Sequence, residues 1–140
     1  RKEVQAPGLY RQLEELLTPQ EMSSLKQTTG NAYYTPVPLV EFMYQWLSIY
    51  GFKGGAILEP AVGQGVFIEH MPRAIREKSD ISTIEVDVLS SQIFTKLHPD
   101  ICHHARGFED YQPLNKFDLI IGNPPYGPES VEDPNHADLK

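Results

Sequence analysis

The 140-residue chain predicts an α/β fold, a parallel sheet with helices on both faces. Three observations predict it. From residue 56 onward, short apolar runs alternate with segments of helical periodicity. The first run leads into a glycine-rich turn and the second ends in acidic residues. The last run, Phe117 to Ile121, delivers Asn123-Pro124-Pro125-Tyr126, a rigid turn at a strand's carboxyl end. Ligands of open α/β sheets sit beyond those carboxyl ends.

Taken in order, residues 9 to 27 read as one or two short helices, with Leu9, Leu13, Leu16 and Leu17 at helical spacing and Pro19 as a break. Residues 28 to 32 form a loop. A helix then runs from about Pro38 to Tyr50, with Val40, Phe42, Met43, Trp46 and Leu47 as its buried side and Gly51, Gly54 and Gly55 closing it. Ala56-Ile57-Leu58 is the first strand, and Gly65 to about Arg76 the next helix. Ser82 to Val86 is the second strand, followed by a helix from about Leu89 to Leu97. Ile101 to Gly107 and Phe117 to Ile121 complete about four strands, few enough that the sheet reads as incomplete in this chain. Three regions result: an N-terminal helical segment (1–30), an α/β core (31–126), and a polar tail (127–140) expected to be loop or disordered.

Composition is ordinary for a globular domain, with 40% apolar and 22% charged residues. No run approaches the ~20 apolar residues of a membrane span, and the start lacks the apolar stretch of a secretory signal. One cysteine, Cys102, excludes an internal disulfide and suits a reducing, cytoplasmic setting. The first residue is not Met, so a piece of a longer protein is expected. Net charge is −7, which opposes autonomous grip on nucleic acid and leaves any such grip to a part outside this chain.

The turn Glu59-Pro60-Ala61-Val62-Gly63-Gln64-Gly65 ends the first strand and opens a helix. Its two glycines allow close backbone approach, and the helix start offers amide donors. A dinucleotide fingerprint wants a third glycine where Ile68 stands, and a Walker loop wants Gly-Lys-Ser/Thr. Glu59 is also unwelcome beside pyrophosphate. A ligand with an ammonium group in place of phosphates suits it better, and S-adenosylmethionine qualifies. At the second strand's tip, Glu85 stands 20 positions beyond Gly65, a spacing suited to binding the hydroxyls of an adenine ribose. Asp87 is placed to cap the helix that follows. Cys102-His103-His104 lacks the separated ligand pairs of a zinc site, and adjacent strand residues face opposite ways, so no metal is expected.

The Asn123 side-chain oxygen and the Pro124 carbonyl can together accept both hydrogens of an exocyclic amino group, while Tyr126 can stack on a planar base. With these motifs in order, residues from about Thr28 to Tyr126 resemble the S-adenosylmethionine-dependent DNA methyltransferases that methylate the N6 amino group of adenine. Tyr34-Thr35-Pro36 resembles the family's N-terminal cofactor motif, and Glu59 to Gly65 its glycine-rich motif, where Asp is commoner than Glu. Glu85-Val86-Asp87 resembles its ribose-binding strand end, Gly107-Phe108-Glu109-Asp110 its adenine-contacting region, and Asn123-Pro124-Pro125-Tyr126 its catalytic (D/N/S)PPY motif. A weaker similarity is to large methylases found with helicase modules on mobile elements.

The resemblance implies a Rossmann-like methyltransferase fold, of which the family has seven strands. It implies a cofactor held by Tyr34, Thr35, Pro36, Glu59, Pro60, Ala61, Gly63, Gly65, Glu85, Val86, Phe108 and Glu109. It also implies a flipped adenine engaged by Asn123, Pro124, Pro125 and Tyr126. DNA would be the partner, gripped mainly by a recognition domain absent here, in a restriction-modification setting; oligomeric state stays open. Two alternatives stand beside it. Asn-Pro-Pro-Tyr also serves methylation of protein glutamine or RNA guanine, and a non-catalytic module could keep the cofactor fold.

Overall fold

The computed structural model describes residues 7–23 and 35–124. The expected loop at 28–32, the polar tail, Tyr34, Pro125 and Tyr126 lie outside the described residues.

Helix α1 spans Pro7–Leu16, and residues 19–23 are helical again. Pro19 both ends the first segment and starts the second. Thr18 and Glu21 close a reciprocal box across that start: the Thr18 amide donates to Glu21 Oε2 at 2.8 Å and the Glu21 amide to Thr18 Oγ1 at 3.3 Å. Helix α2 spans Val37–Ile49 behind an extended Pro36. It buries Val40 and Tyr44, with Met43 and Leu47 partly covered. Phe42 and Trp46, expected inside, instead stand about half exposed and form a ladder with Tyr50, ring centroids 5.9 and 5.4 Å apart. The helix is apolar on two sides, and at 3.6 residues per turn positions 40, 43, 44 and 47 share one face while 42 and 46 lie on another.

Four parallel strands follow: β1 (Ala56–Glu59), β2 (Asp80–Glu85), β3 (Cys102–Ala105) and β4 (Leu119–Ile120), in the spatial order β3-β2-β1-β4. The register pairs Glu59 with Thr83, Glu85 with Ala105, and Leu58 with Ile120. Backbone bonds from Asp118 to Ala56 (2.8 Å) and from Ile121 to Leu58 (3.0 Å) lengthen the short β4 pairing at both ends. Strand order reverses between β1 and β4, so the ligand crevice of such a sheet falls at their carboxyl ends.

The single helix expected over 65–76 is two: α3 (Val66–Glu69) and α4 (Arg73–Arg76). Pro72 has no amide hydrogen to continue the first and serves as N-cap of the second. Helix α5 spans Val88–Leu97, capped as expected by Asp87, whose Oδ1 accepts the Ser90 amide at 2.8 Å. Buried Thr83 meets His103 Nδ1 at 2.8 Å, and Ser91 Oγ meets His103 Nε2 at 2.7 Å. These bonds join β2, β3 and α5, and burial lowers the His103 pKa, which favours a neutral ring between two hydroxyls.

The core gathers Val40, Tyr44, Ile57, Phe67, Ile68, Ile75, Phe94 and Ile121 on these elements. Tyr44 is fully buried and donates its hydroxyl to the Phe67 carbonyl at 2.9 Å. Burial raises its pKa, so the phenol stays neutral. Tyr44→Phe should cost roughly 1–3 kcal/mol in urea unfolding, because it strands that buried carbonyl without opening a cavity.

Candidate functional site

Three strand tips converge: Glu59 on β1, Glu85 on β2, and Asn123 three residues beyond β4. Glu59 is 1% exposed, and its Oε2 has no hydrogen-bond partner. Its side chain runs alongside the loop to Asn123, since a Cβ built on Gly122 would lie 3.4 Å from Glu59 Cγ and 3.3 Å from the Pro60 ring. Burial, reinforced by the charge of Glu85, raises the Glu59 pKa well above the ordinary carboxylate value.

Glu85 is held in the opposite way. Its Oε2 accepts the Gly63 amide at 2.7 Å and its Oε1 the Asp87 amide at 2.8 Å. One carboxylate thereby ties the glycine turn to the β2–α5 connection. A carboxylate offers about four lone-pair sites, so two remain for a vicinal diol. The turn itself is shaped by bonds from Val62 to Ile84 (3.0 Å) and from Gly65 to Val62 (2.8 Å).

The two glycines differ in kind. Gly63 has φ +52° with open space where a side chain would go, which is the close access a ligand needs. Gly65 has φ +89°, and its side-chain space is taken by Phe94 at 2.9 Å and His98 at 3.3 Å. Internal packing accounts for that glycine.

Val86 and Phe108, just past the ends of β2 and β3, are 69% and 56% exposed, two apolar groups at neighbouring tips. Phe108 begins a short 3-10 turn, Phe108–Asp110, and the Glu109 carboxylate folds back over Gly107. Pro60 and Ala61 are half-buried in the turn, and Pro124 is exposed next to half-buried Asn123. Thr35 and Pro36 lead into α2, where the Pro36 carbonyl accepts the Leu39 amide at 2.9 Å.

On β3, Cys102 Sγ and His104 Nε2 lie 3.5 Å apart on one face while His103 turns to the other. Among the described residues no three metal-ligating side chains come together, and no helix is long and apolar enough to cross a membrane. A shallow groove lined by Glu41, Gln45, Ile49, His70 and Pro72 lies away from the strand tips.

Sequence reading missed two features of this site. Gly122 lets the β4 tip lie against Glu59, and the Glu85 carboxylate clamps Gly63. The clamp joins residues 22 positions apart through the β1–β2 register, so no local pattern signals it. For Gly122 the signal was its place directly before Asn123.

No family model matches the chain. It is 34% identical over 98 residues to the "Defense against restriction protein B" of Escherichia phage P1, covering 68% of this chain and 4% of that protein. It is 32% identical over 106 residues to the type II methyltransferase M.CvrRI of Paramecium bursaria Chlorella virus XZ-6E, covering 75% of this chain and 27% of that enzyme. The chain thus spans less than a third of the length of these curated relatives. Among solved structures, a Listeria monocytogenes protein assigned to the class I S-adenosylmethionine-dependent methyltransferases superposes with a TM-score of 0.63. The identity there is 17%, over 86% of this chain and 42% of that one. Sequence similarity places the chain among the S-adenosylmethionine-dependent methyltransferases, and its fold is the Rossmann-like one of the class I enzymes.

Proposed function

We propose that this chain is the cofactor-binding and catalytic-loop portion of a DNA methyltransferase acting on the N6 amino group of adenine. The observation that carries the reading is the convergence of buried Glu59, clamped Glu85 and Asn123-Pro124 at the carboxyl ends of β1, β2 and β4. The type II methyltransferase M.CvrRI supports DNA as the substrate.

The residues present fit S-adenosylmethionine. An orphaned buried carboxyl suits a cationic amino group, a carboxylate with spare lone pairs suits a ribose diol, and exposed Val86 and Phe108 suit a flat ring. The cofactor supplies an electrophilic methyl group when bound. Glu59, with Thr35 and Pro36 at the start of α2, would hold its amino acid end. Glu85 would accept the ribose hydroxyls, and Val86 and Phe108, with Glu109, would cover the adenine. The Asn123 oxygen and the Pro124 carbonyl would accept the two hydrogens of the target amino group. That draws the nitrogen lone pair out of conjugation with the ring and holds it in line for attack. Positioning and local electrostatics are the whole of the protein's contribution. Pro125 and Tyr126, by the motif resemblance, would complete the wall on which a flipped base stacks. With a net charge of −7, grip on the DNA backbone falls to parts outside this chain.

The test is calorimetric titration with S-adenosylmethionine of the chain and of Glu85→Ala, followed by methyl transfer to adenine-containing DNA by the full-length protein. Saturable binding that weakens about 10- to 100-fold in the variant is expected, from loss of a charged acceptor worth roughly 1.5–3 kcal/mol. Thermal unfolding of the variant separates a lost pocket from a lost fold. Absence of methyl transfer to DNA, with transfer to a protein glutamine or to RNA, would overturn the substrate reading.

A further inference from the structure

The two carboxyl groups at the β1 and β2 tips are not equivalent. Glu85 accepts two backbone amides. Glu59 is 1% exposed, and its Oε2 is left without a hydrogen bond. A bare carboxylate in that position, next to a second one, is costly, whereas a neutral carboxyl is tolerable. The titratable groups that act on it are Glu85 from β2 and the Tyr44 phenol from α2. Its β2 register partner Thr83, the turn residues 60–65, and Ile121 and Gly122 just past β4 bring no charge. Among the described residues, no lysine, arginine or histidine acts on it.

We propose that Glu59 carries a proton in the ligand-free protein and gives it up to solvent when a ligand's cationic group takes its place, so that it selects cationic ligands over neutral ones in a pH-dependent way. This rests on the cofactor reading above. The exchange balances: a neutral carboxyl and a cation become a carboxylate paired with that cation, and one proton passes to the buffer. Ligand-free, the site carries the single negative charge of Glu85. Filled, it carries two negative charges against the ligand's positive one.

Proton linkage gives the expected result. Below the pKa of Glu59, affinity for S-adenosylmethionine rises up to about tenfold per pH unit. Calorimetry at about pH 6.5, where an α-amino group stays protonated, is run in two buffers of different ionisation enthalpy. It should show net proton release on binding S-adenosylmethionine. Adenosine, which lacks the cationic tail, should bind with none released. Glu59→Gln should bind S-adenosylmethionine with no release and a flat pH profile. Stability gives a second readout. A carboxyl whose pKa is raised by folding weakens the fold as pH climbs from the ordinary carboxylate value toward the raised one, because the unfolded chain then ionises first. Glu59→Gln should remove that slope from urea midpoints. Binding of S-adenosylmethionine without proton release would overturn the inference and leave the cofactor reading standing. If no binding occurs, the cofactor reading fails, and carbon NMR of the ligand-free chain decides the proton. A Glu59 carboxyl that ionises at ordinary carboxylate pH overturns the inference; one still protonated near neutrality supports the proton half of it.

Discussion

Gly65→Val is expected to destabilise the protein by about 3–5 kcal/mol, seen as a large fall in the urea midpoint. Two independent costs combine. The backbone at 65 has φ +89°, which a β-branched residue adopts only under strain of roughly 1–3 kcal/mol. The added side chain would also drive into the Phe94 ring, 2.9 Å from where Cβ would stand, and into His98 at 3.3 Å. Phe94 is fully buried in the core, so it can move little. The double variant with Phe94→Ala separates the costs, because it relieves the overlap and leaves the backbone strain. A coupling of at least about 1 kcal/mol between the two sites is expected. Purely additive effects would show that the Phe94 contact is not what demands glycine here. Total stability is roughly 5–15 kcal/mol for a domain, so the single change takes a large share of it.

Asn123→Ala, made in the full-length protein, is expected to lower the rate constant for methyl transfer by about 10²–10³-fold while leaving cofactor affinity near its original value. The residue sits three positions past β4, the strand that pairs with β1, and its proposed partner is the target amino group. Removing an acceptor that works only as charge develops on that nitrogen should therefore change the rate constant and not ground-state cofactor binding. Asn123→Asp keeps an acceptor and should retain more activity than Asn123→Ala. Single-turnover transfer of labelled methyl groups measures the rate. Equal activity of the alanine variant and the original protein would remove Asn123 from the chemistry.

Much of the architecture is legible in the sequence. Strands at Ile57, Ile84 and Ile120, and helices at 37–49 and 88–97, carry short apolar runs or 3.6-residue spacing that local physics reads directly. Asp87 capped its helix because an acidic residue before an apolar periodic run has one good use. Two misreadings had different causes. The break at Pro72 was visible as a proline inside a helical pattern. The outward turn of Phe42 and Trp46 was not, because a helix apolar on two sides leaves its inner face undetermined until a neighbour packs against it.

The sequence alone determined the kind and order of elements, the motifs at their ends, and the resemblance those motifs carry, since each depends on spacing within a few residues. The tertiary structure alone decided that β4 lies beside β1, which brings Gly122 against Glu59, and that Glu85 clamps Gly63 while Glu59 stays buried with its Oε2 unpartnered. Those are contacts between residues 22 and 63 positions apart. Hydrogen bonding and desolvation at such separations depend on the register of the sheet, and no local pattern of residues contains it.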